Sequence, residues 1–220
     1  MGHWQGDAII FDLDGVLIDA DAVYERHWKQ WAERRGVAFD AVLAVHHGRP
    51  AVQTVELVAP HLDAVAEAAR YNRHLLEDTD MSGVVAYPGA LDLLTSLPKD
   101  RWAIATSATR DVAMSRLEFL GLPIPAAFVT ADDVARGKPA PDPYLLAAER
   151  LGWEPSRCLV IEDAPAGITA AKAAGTSVLA VTTTNAFESL GDADAVITGL
   201  TTIAVEIAPT RLKARWPEIV

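Results

Sequence analysis

Four short stretches of the chain hold residue types that do chemistry. Asp12-Leu13-Asp14-Gly15-Val16 sets two carboxylates two residues apart, just before a glycine. Once the backbone turns, such a pair can converge on one site, one carboxylate attacking while the other handles protons. The same residues also make a capped strand end with an ordinary Asp-Gly turn, and the pair alone does not choose. Thr106-Ser107-Ala108-Thr109 gathers small hydroxyls and free backbone amides, a ready cradle for an anion. Ser and Thr at a strand-helix turn are equally common as plain N-caps. Gly137-Lys138-Pro139-Ala140-Pro141-Asp142-Pro143 places a lysine on a stiff loop that can aim its ammonium at a fixed point, although most surface lysines are merely solvated. Glu162-Asp163-Ala164-Pro165-Ala166-Gly167 carries two adjacent carboxylates, which are costly to bury unless a cation neutralises them. Oxygen ligands shared with Asp12 suit Mg²⁺, a hard cation that keeps several waters and binds phosphate oxygens. Acidic residues at a helix start are also favoured by the macrodipole without any metal.

Each stretch follows a short apolar run. Ala8-Ile9-Ile10-Phe11 leads to Asp12, Trp102-Ala103-Ile104-Ala105 to Thr106, and Cys158-Leu159-Val160-Ile161 to Glu162. Val178 to Val181, Ala127 to Val129 and Ala195 to Ile197 read alike. Continuous apolar runs of this length fit strands buried on both faces. Between them lie helix-length segments, Asp111 to Leu120, Pro143 to Leu151 and Pro165 to Ala174, each followed by a glycine that signals a helix end. Strand alternating with helix predicts an α/β fold with a doubly wound parallel sheet, a Rossmann-like core whose ligands bind at the carboxyl ends of the strands. Asp12, Thr106 and Asp163 fall at such ends.

From about Asp19 to Ala86 the alternation stops and the pattern is helical throughout. Tyr24, Trp28 and Trp31 make one apolar stripe, Val52, Val55 and Ala59 a second, and Leu62, Val65, Ala69 and Leu76 continue the bundle. The expected division is a catalytic core of residues 1–18 and 87–220 with an inserted helical cap domain of residues 19–86, the crossings lying at Asp19 and Ala86-Tyr87-Pro88. Arg215 to Val220 reads as a surface tail.

Composition removes several classes. In 220 residues, 50% are apolar and 22% charged, a globular balance, and no apolar run approaches the ~20 residues that span a bilayer. Met1 to Ile10 shows no basic, then apolar, secretory pattern, and the single cysteine, Cys158, cannot form an internal disulfide. A cytoplasmic protein without membrane association is expected. The net charge of −11 opposes nucleic-acid binding, and it would repel a phosphorylated metabolite too unless a cation reverses the local field.

Taken together and in this order, the four stretches resemble the signature motifs of the haloacid dehalogenase superfamily. The likeness runs from about Asp7 to Leu200, and the insert matches that superfamily's helical cap. Ala105-Thr106-Ser107-Ala108-Thr109-Arg110, Gly137-Lys138-Pro139 and Glu162-Asp163-Ala164-Pro165-Ala166-Gly167 look most like sugar and polyol phosphatases, the hydrolases of deoxyhexose, hexitol and glycerol phosphates. The resemblance implies that Asp12 attacks phosphorus to form an aspartyl-phosphate and that Asp14 protonates the leaving alcohol, then deprotonates the attacking water. It implies phosphoryl contacts from Thr106, Lys138 and the Ser107 amide. It also implies Mg²⁺ on the Asp12 carboxylate, the Asp14 carbonyl and Asp163, with Glu162 orienting a bound water. The partner is then a small phosphorylated metabolite.

Rival activities leave different marks. A dehalogenase has no use for the second acid, Asp14. A β-phosphoglucomutase-like hexose phosphate mutase shares the Asp-Gly-Val run, but such mutases resemble this chain less at the cap loop, where a lysine precedes the glycine and this chain has His47-Gly48-Arg49. A non-catalytic phosphate-binding protein, or a receiver-like module, would not need every catalytic group. His47 and Arg49 are the cap candidates for substrate contact, while His27, His61 and His74 read as structural or solvated and Cys158 as a small buried hydrophobe.

Overall fold

The computed structural model describes residues 1–217. The chain opens with β1 (Gly2–Gly6) and β2 (Ala8–Phe11), followed by the short β3 (Ile18–Asp19). Four helices come next: α1 (Asp21–Arg35), α2 (Phe39–Leu43), α3 (Ala51–Val58) and α4 (Ala64–Glu77). After β4 (Val85–Ala86) and α5 (Ala90–Ser96) the alternation resumes, with β5 (Trp102–Ala105), α6 (Arg110–Leu120), β6 (Ala127–Val129) and α7 (Asp142–Leu151). It continues through β7 (Cys158–Glu162), α8 (Pro165–Ala173), β8 (Ser177–Val181) and β9 (Ala195–Ile197), before β10 (Ala204–Ala208) and β11 (Arg211–Trp216).

The main sheet has six parallel strands in the order β6-β5-β2-β7-β8-β9. Its residues alternate between two apolar layers. Ile9 and Phe11 point towards Leu93, Leu94, Ala113 and Leu117 of α5 and α6. Ala8 and Ile10 point towards Tyr144 and Ala147 of α7 and Ile168 and Ala171 of α8. Both faces are covered, which is why the strands read as unbroken apolar runs. The doubly wound α/β core expected from the sequence is present. Because β5, β2 and β7 are neighbours, the residues that follow them (Thr106, Asp12 and Asp163) meet at one edge.

The insert departs from the helical expectation at both ends. Ile18 and Asp19 pair antiparallel with Ala86 and Val85, so a two-stranded ribbon joins the helices to the core. The stripe expected on α4 is also displaced. Val65 and Leu76 are exposed, and the helix buries Ala68, Tyr71 and Leu75 instead, the last two against Trp28, Trp31 and Val55. Tyr71 stacks on Trp28 with ring centroids 3.9 Å apart, and that aromatic contact fixes which face of α4 turns inward.

The expected C-terminal tail is a correction. Arg215 and Trp216 belong to β11, which pairs antiparallel with β1 on one side and β10 on the other. Leu212, Ala214 and Trp216 are buried on one face, the period-two signature of a strand. Glu218 to Val220 lie outside the described residues. No helix among the described residues is long and apolar enough to cross a membrane.

Candidate active site

Asp12 stands directly after β2 and is buried, its amide donating to Ile161 O of β7. The next residues turn sharply. Gly15 has φ +86°, and a Cβ there would overlap the Asp163 carboxylate, so the turn needs glycine for its backbone and for this close approach. Lys138 reaches in from the loop before α7. Only 1% of its side chain is exposed, and its Nζ lies 2.7 Å from Asp12 Oδ1 and 2.7 Å from Glu162 Oε1. Burial alone would lower the lysine pKa, but the Asp12 and Glu162 carboxylates outweigh it and hold Lys138 above the ordinary lysine range.

Glu162, the last residue of β7, is enclosed by donors. Its Oε1 accepts from Lys138 and from the Tyr144 hydroxyl at 2.6 Å, and its Oε2 accepts from the Asp163 and Ala164 amides. Gly167 in the first turn of α8 makes this possible, because a Cβ there would overlap the carboxylate. Glu162 therefore anchors the lysine. Asp163 accepts from the Thr184 hydroxyl, and Asn185 Nδ2 donates to its carbonyl at 3.1 Å.

These groups leave an excess of negative charge. Asp12, Glu162 and Asp163 each offer an oxygen within 4.8 Å of the others, with one buried ammonium beside them. Burial lifts the Asp12 carboxyl to about 7 against the pull of Lys138, and burial with the Glu162 and Asp12 charges lifts Asp163 well above the usual range. Asp163 Oδ1 has no hydrogen-bond partner among the described residues. Three buried carboxylates with oxygens this close, and an unpartnered oxygen on Asp163, fit a divalent cation.

Asp14 sits in front of this cluster. Arg116 Nη1 donates to its Oδ1 at 2.9 Å, and the Tyr24 hydroxyl donates to its Oδ2 at 3.0 Å. The Arg116 guanidinium lies over the Tyr24 ring, 4.1 Å from its centroid, and is nearly fully buried. Thr106 is buried, and its Oγ1 accepts from the Ala108 amide at 3.1 Å. The N-cap of α6 is Thr109. The N-cap position thus falls within the same stretch, as the capping alternative expects, although Thr109 makes no side-chain cap hydrogen bond, and Thr106 itself stands three residues before it. Ser107 Oγ donates to Gly48 O of the α2–α3 loop at 3.2 Å, closing the insert onto the core.

Of the nine residues singled out from the sequence, Asp12, Asp14, Thr106, Ser107, His47 and Arg49 line one cavity of about 70 Å³. Lys138, Glu162 and Asp163 stand behind Asp12. The structure therefore brings all nine together. His47 is half-buried with Nδ1 3.7 Å from Asp21 Oδ1, and its ring lies tilted by 35° against His46 with centroids 3.9 Å apart. Sequence reasoning missed Tyr144, Arg116, Thr184 and Asn185. Arg116 leaves a faint sequence signal, a basic residue at an inward position of α6 between Ala113 and Leu117. Tyr24 was expected in the apolar stripe; its ring does sit on that helix, but its hydroxyl is turned to Asp14.

A parallel sheet with a carboxylate nucleophile candidate, a buried lysine and a cation-ready acidic cluster at its carboxyl edge defines an enzyme that handles an anionic ester. The chain belongs to the haloacid dehalogenase-like hydrolase family, whose match spans residues 7–175. It is 42% identical to hexitol phosphatase A of Escherichia coli K12 over 203 residues, covering 91% of this chain and 94% of that one. Glycerol-1-phosphate phosphohydrolase 2 of Saccharomyces cerevisiae is 37% identical over 192 residues, covering 81% and 75%. Among solved structures, a hydrolase from Pseudomonas syringae superposes with a TM-score of 0.75 at 28% identity, covering 88% and 94%. Family and relatives make this enzyme a phosphatase.

Proposed function

We propose that the protein is a Mg²⁺-dependent phosphomonoester hydrolase of a small sugar or polyol phosphate, working through an aspartyl-phosphate on Asp12. One observation carries the reading: Asp12 belongs to a cation-ready carboxylate cluster and also lines the cavity that Asp14 lines. In the first step an Asp12 carboxylate oxygen bonds to phosphorus as the bond to the alcohol oxygen breaks, and Asp14 supplies that oxygen with a proton. In the second, Asp14 takes a proton from water, the water oxygen bonds to phosphorus, and phosphate leaves with Asp12 restored. Lys138 holds a phosphoryl oxygen and offsets charge next to the nucleophile, while the Thr106 hydroxyl and the Ser107 amide hold others. Asp12, Asp163 and the Asp14 carbonyl would hold Mg²⁺, with Glu162 close by; when bound it neutralises charge shared by the carboxylates and the phosphoryl group.

Residues 19–86 serve in this reading as a cap hinged at the β3–β4 ribbon, whose closure excludes bulk water during transfer. His47 and Arg49 reach the substrate from its loop. The Asp14–Tyr24 and Ser107–Gly48 hydrogen bonds support a closed arrangement in which cap and core share one site. The test is phosphate release from a panel of sugar, polyol and nucleotide monophosphates with and without Mg²⁺. Release confined to nucleotides, or undiminished by chelation, refutes the reading.

A further inference from the structure

Two polar atoms on the cavity wall have no assigned work. Tyr71 is 4% exposed and His46 is 6% exposed, and both line the cavity that holds Asp14. Neither Tyr71 Oη nor His46 Nε2 has a hydrogen-bond partner among the described residues. Their rings are not loose. Tyr71 is stacked on Trp28 at 3.9 Å and meets His27 edge-on at 6.5 Å, while the His46 ring lies tilted against that of His47. Packing alone would be satisfied by phenylalanine at 71 and an apolar residue at 46, since a buried hydroxyl or imidazole nitrogen without a partner costs stability. Such atoms make sense where a ligand completes them.

Resting on the phosphatase reading above, we infer that Tyr71 and His46 form a subsite that reads hydroxyl groups on the alcohol portion of the substrate. The chemistry of the wall selects the ligand class. Burial, with the adjacent His47 acting in the same direction, pushes the His46 imidazole down to about 3, so it is neutral at working pH and offers one donor and one acceptor. Tyr71 offers the same pair and lies within electrostatic reach of Asp14, where the leaving alcohol receives its proton. Neutral groups that both give and take hydrogen bonds match hydroxyls, not a second phosphate or a carboxylate. Tyr71 and His46 therefore face hydroxyls of the alcohol portion, while Arg49 on the same wall adds a donor that a hydroxyl can also accept from.

The experiment compares substrates of equal carbon number with Mg²⁺ present: glycerol 1-phosphate against propyl phosphate, and a hexitol 6-phosphate against hexyl phosphate. The wild type should favour the hydroxylated member of at least one pair at least tenfold in kcat/KM. Tyr71→Phe should cut that ratio about five- to tenfold, the worth of one neutral hydrogen bond, while its Tm stays at or above wild type because an unpartnered hydroxyl has gone. His46→Leu should cut the ratio similarly, and His46→Gln, with an amide nitrogen near the Nε2 position, should recover part of it. A ratio unchanged in both Tyr71→Phe and His46→Leu overturns the subsite. So does wild-type hydrolysis of both members of each pair at equal kcat/KM, which leaves the phosphatase reading standing. No hydrolysis of the four esters by a wild type that does release phosphate from a sugar monophosphate overturns the subsite alone, whereas no Mg²⁺-dependent release from any sugar or polyol monophosphate refutes the proposed function and the subsite with it.

Discussion

Metal-free protein should lose stability as the pH rises, and a divalent cation should restore it. The perturbation is chelation, and the responding group is Asp12, whose carboxyl burial lifts from 3.8 to about 7 in the fold. The folded state then holds a proton between those values that the unfolded state has released. Unfolding free energy falls with pH wherever the native state binds more protons, so stability is lost from about pH 4 upward and levels off above about pH 7. Between pH 5 and 7 the loss is about 2 kcal/mol, less than two full units at 1.36 kcal/mol each because the carboxyl is half ionised at the upper end. For a chain of this length that is a fall in Tm of roughly 4–8 °C. Asp163, also raised, acts in the same direction. The assay is thermal unfolding from pH 5 to 8.5 in EDTA and in excess Mg²⁺, with Asp12→Asn in parallel. Mg²⁺ competes with the proton for these oxygens, so its stabilisation should grow with pH. Because the −11 net charge also repels itself more as pH rises, the variant is the decisive control. An EDTA slope as steep in Asp12→Asn as in wild type refutes the reasoning, as does a Mg²⁺ effect independent of pH.

Further outcomes follow from the same site. Asp12→Asn should abolish phosphate release while circular dichroism stays native; turnover within tenfold of wild type removes Asp12 from the nucleophile role. A hexose 1-phosphate should yield free phosphate as the main product, because His47 stands where the mutases carry lysine; quantitative conversion to the 6-phosphate, read by NMR, would reverse that ranking. Arg49→Ala should lower kcat/KM for the preferred polyol phosphate by tenfold or more and for an aryl phosphate much less, equal losses pointing instead to a phosphoryl contact. Tyr144→Phe removes a 2.6 Å donor from buried Glu162 and should cost about 2 kcal/mol, seen as a Tm roughly 4–8 °C lower; an unchanged Tm would mean that Lys138 and the two amides suffice.

What the sequence by itself determined is what local pattern can encode. Apolar runs such as Ala8 to Phe11 announced strands buried on both faces, and Gly121 and Gly152 stopped α6 and α7 through the left-handed backbone seen at both positions. The strand-end positions of Asp12, Thr106 and Asp163 then implied a shared edge. Tertiary structure alone decided what depends on partners distant in the chain. The β1–β11 pair joins residues some two hundred positions apart, and even a period-two pattern such as that of β11 tells which face is buried but not which distant strand lies beside it. The sequence pattern put Val65 and Leu76 inward and left Ala68 and Tyr71 out of the stripe, whereas Trp28 chose the other face of α4. Arg116 and Tyr144 are unremarkable in their own helices, and they acquire meaning only where Asp14 and Glu162 meet them. The polar atoms of Tyr71 and His46 likewise become informative only once burial has taken water away from them, because an unmet hydrogen bond is a property of packing and not of residue type.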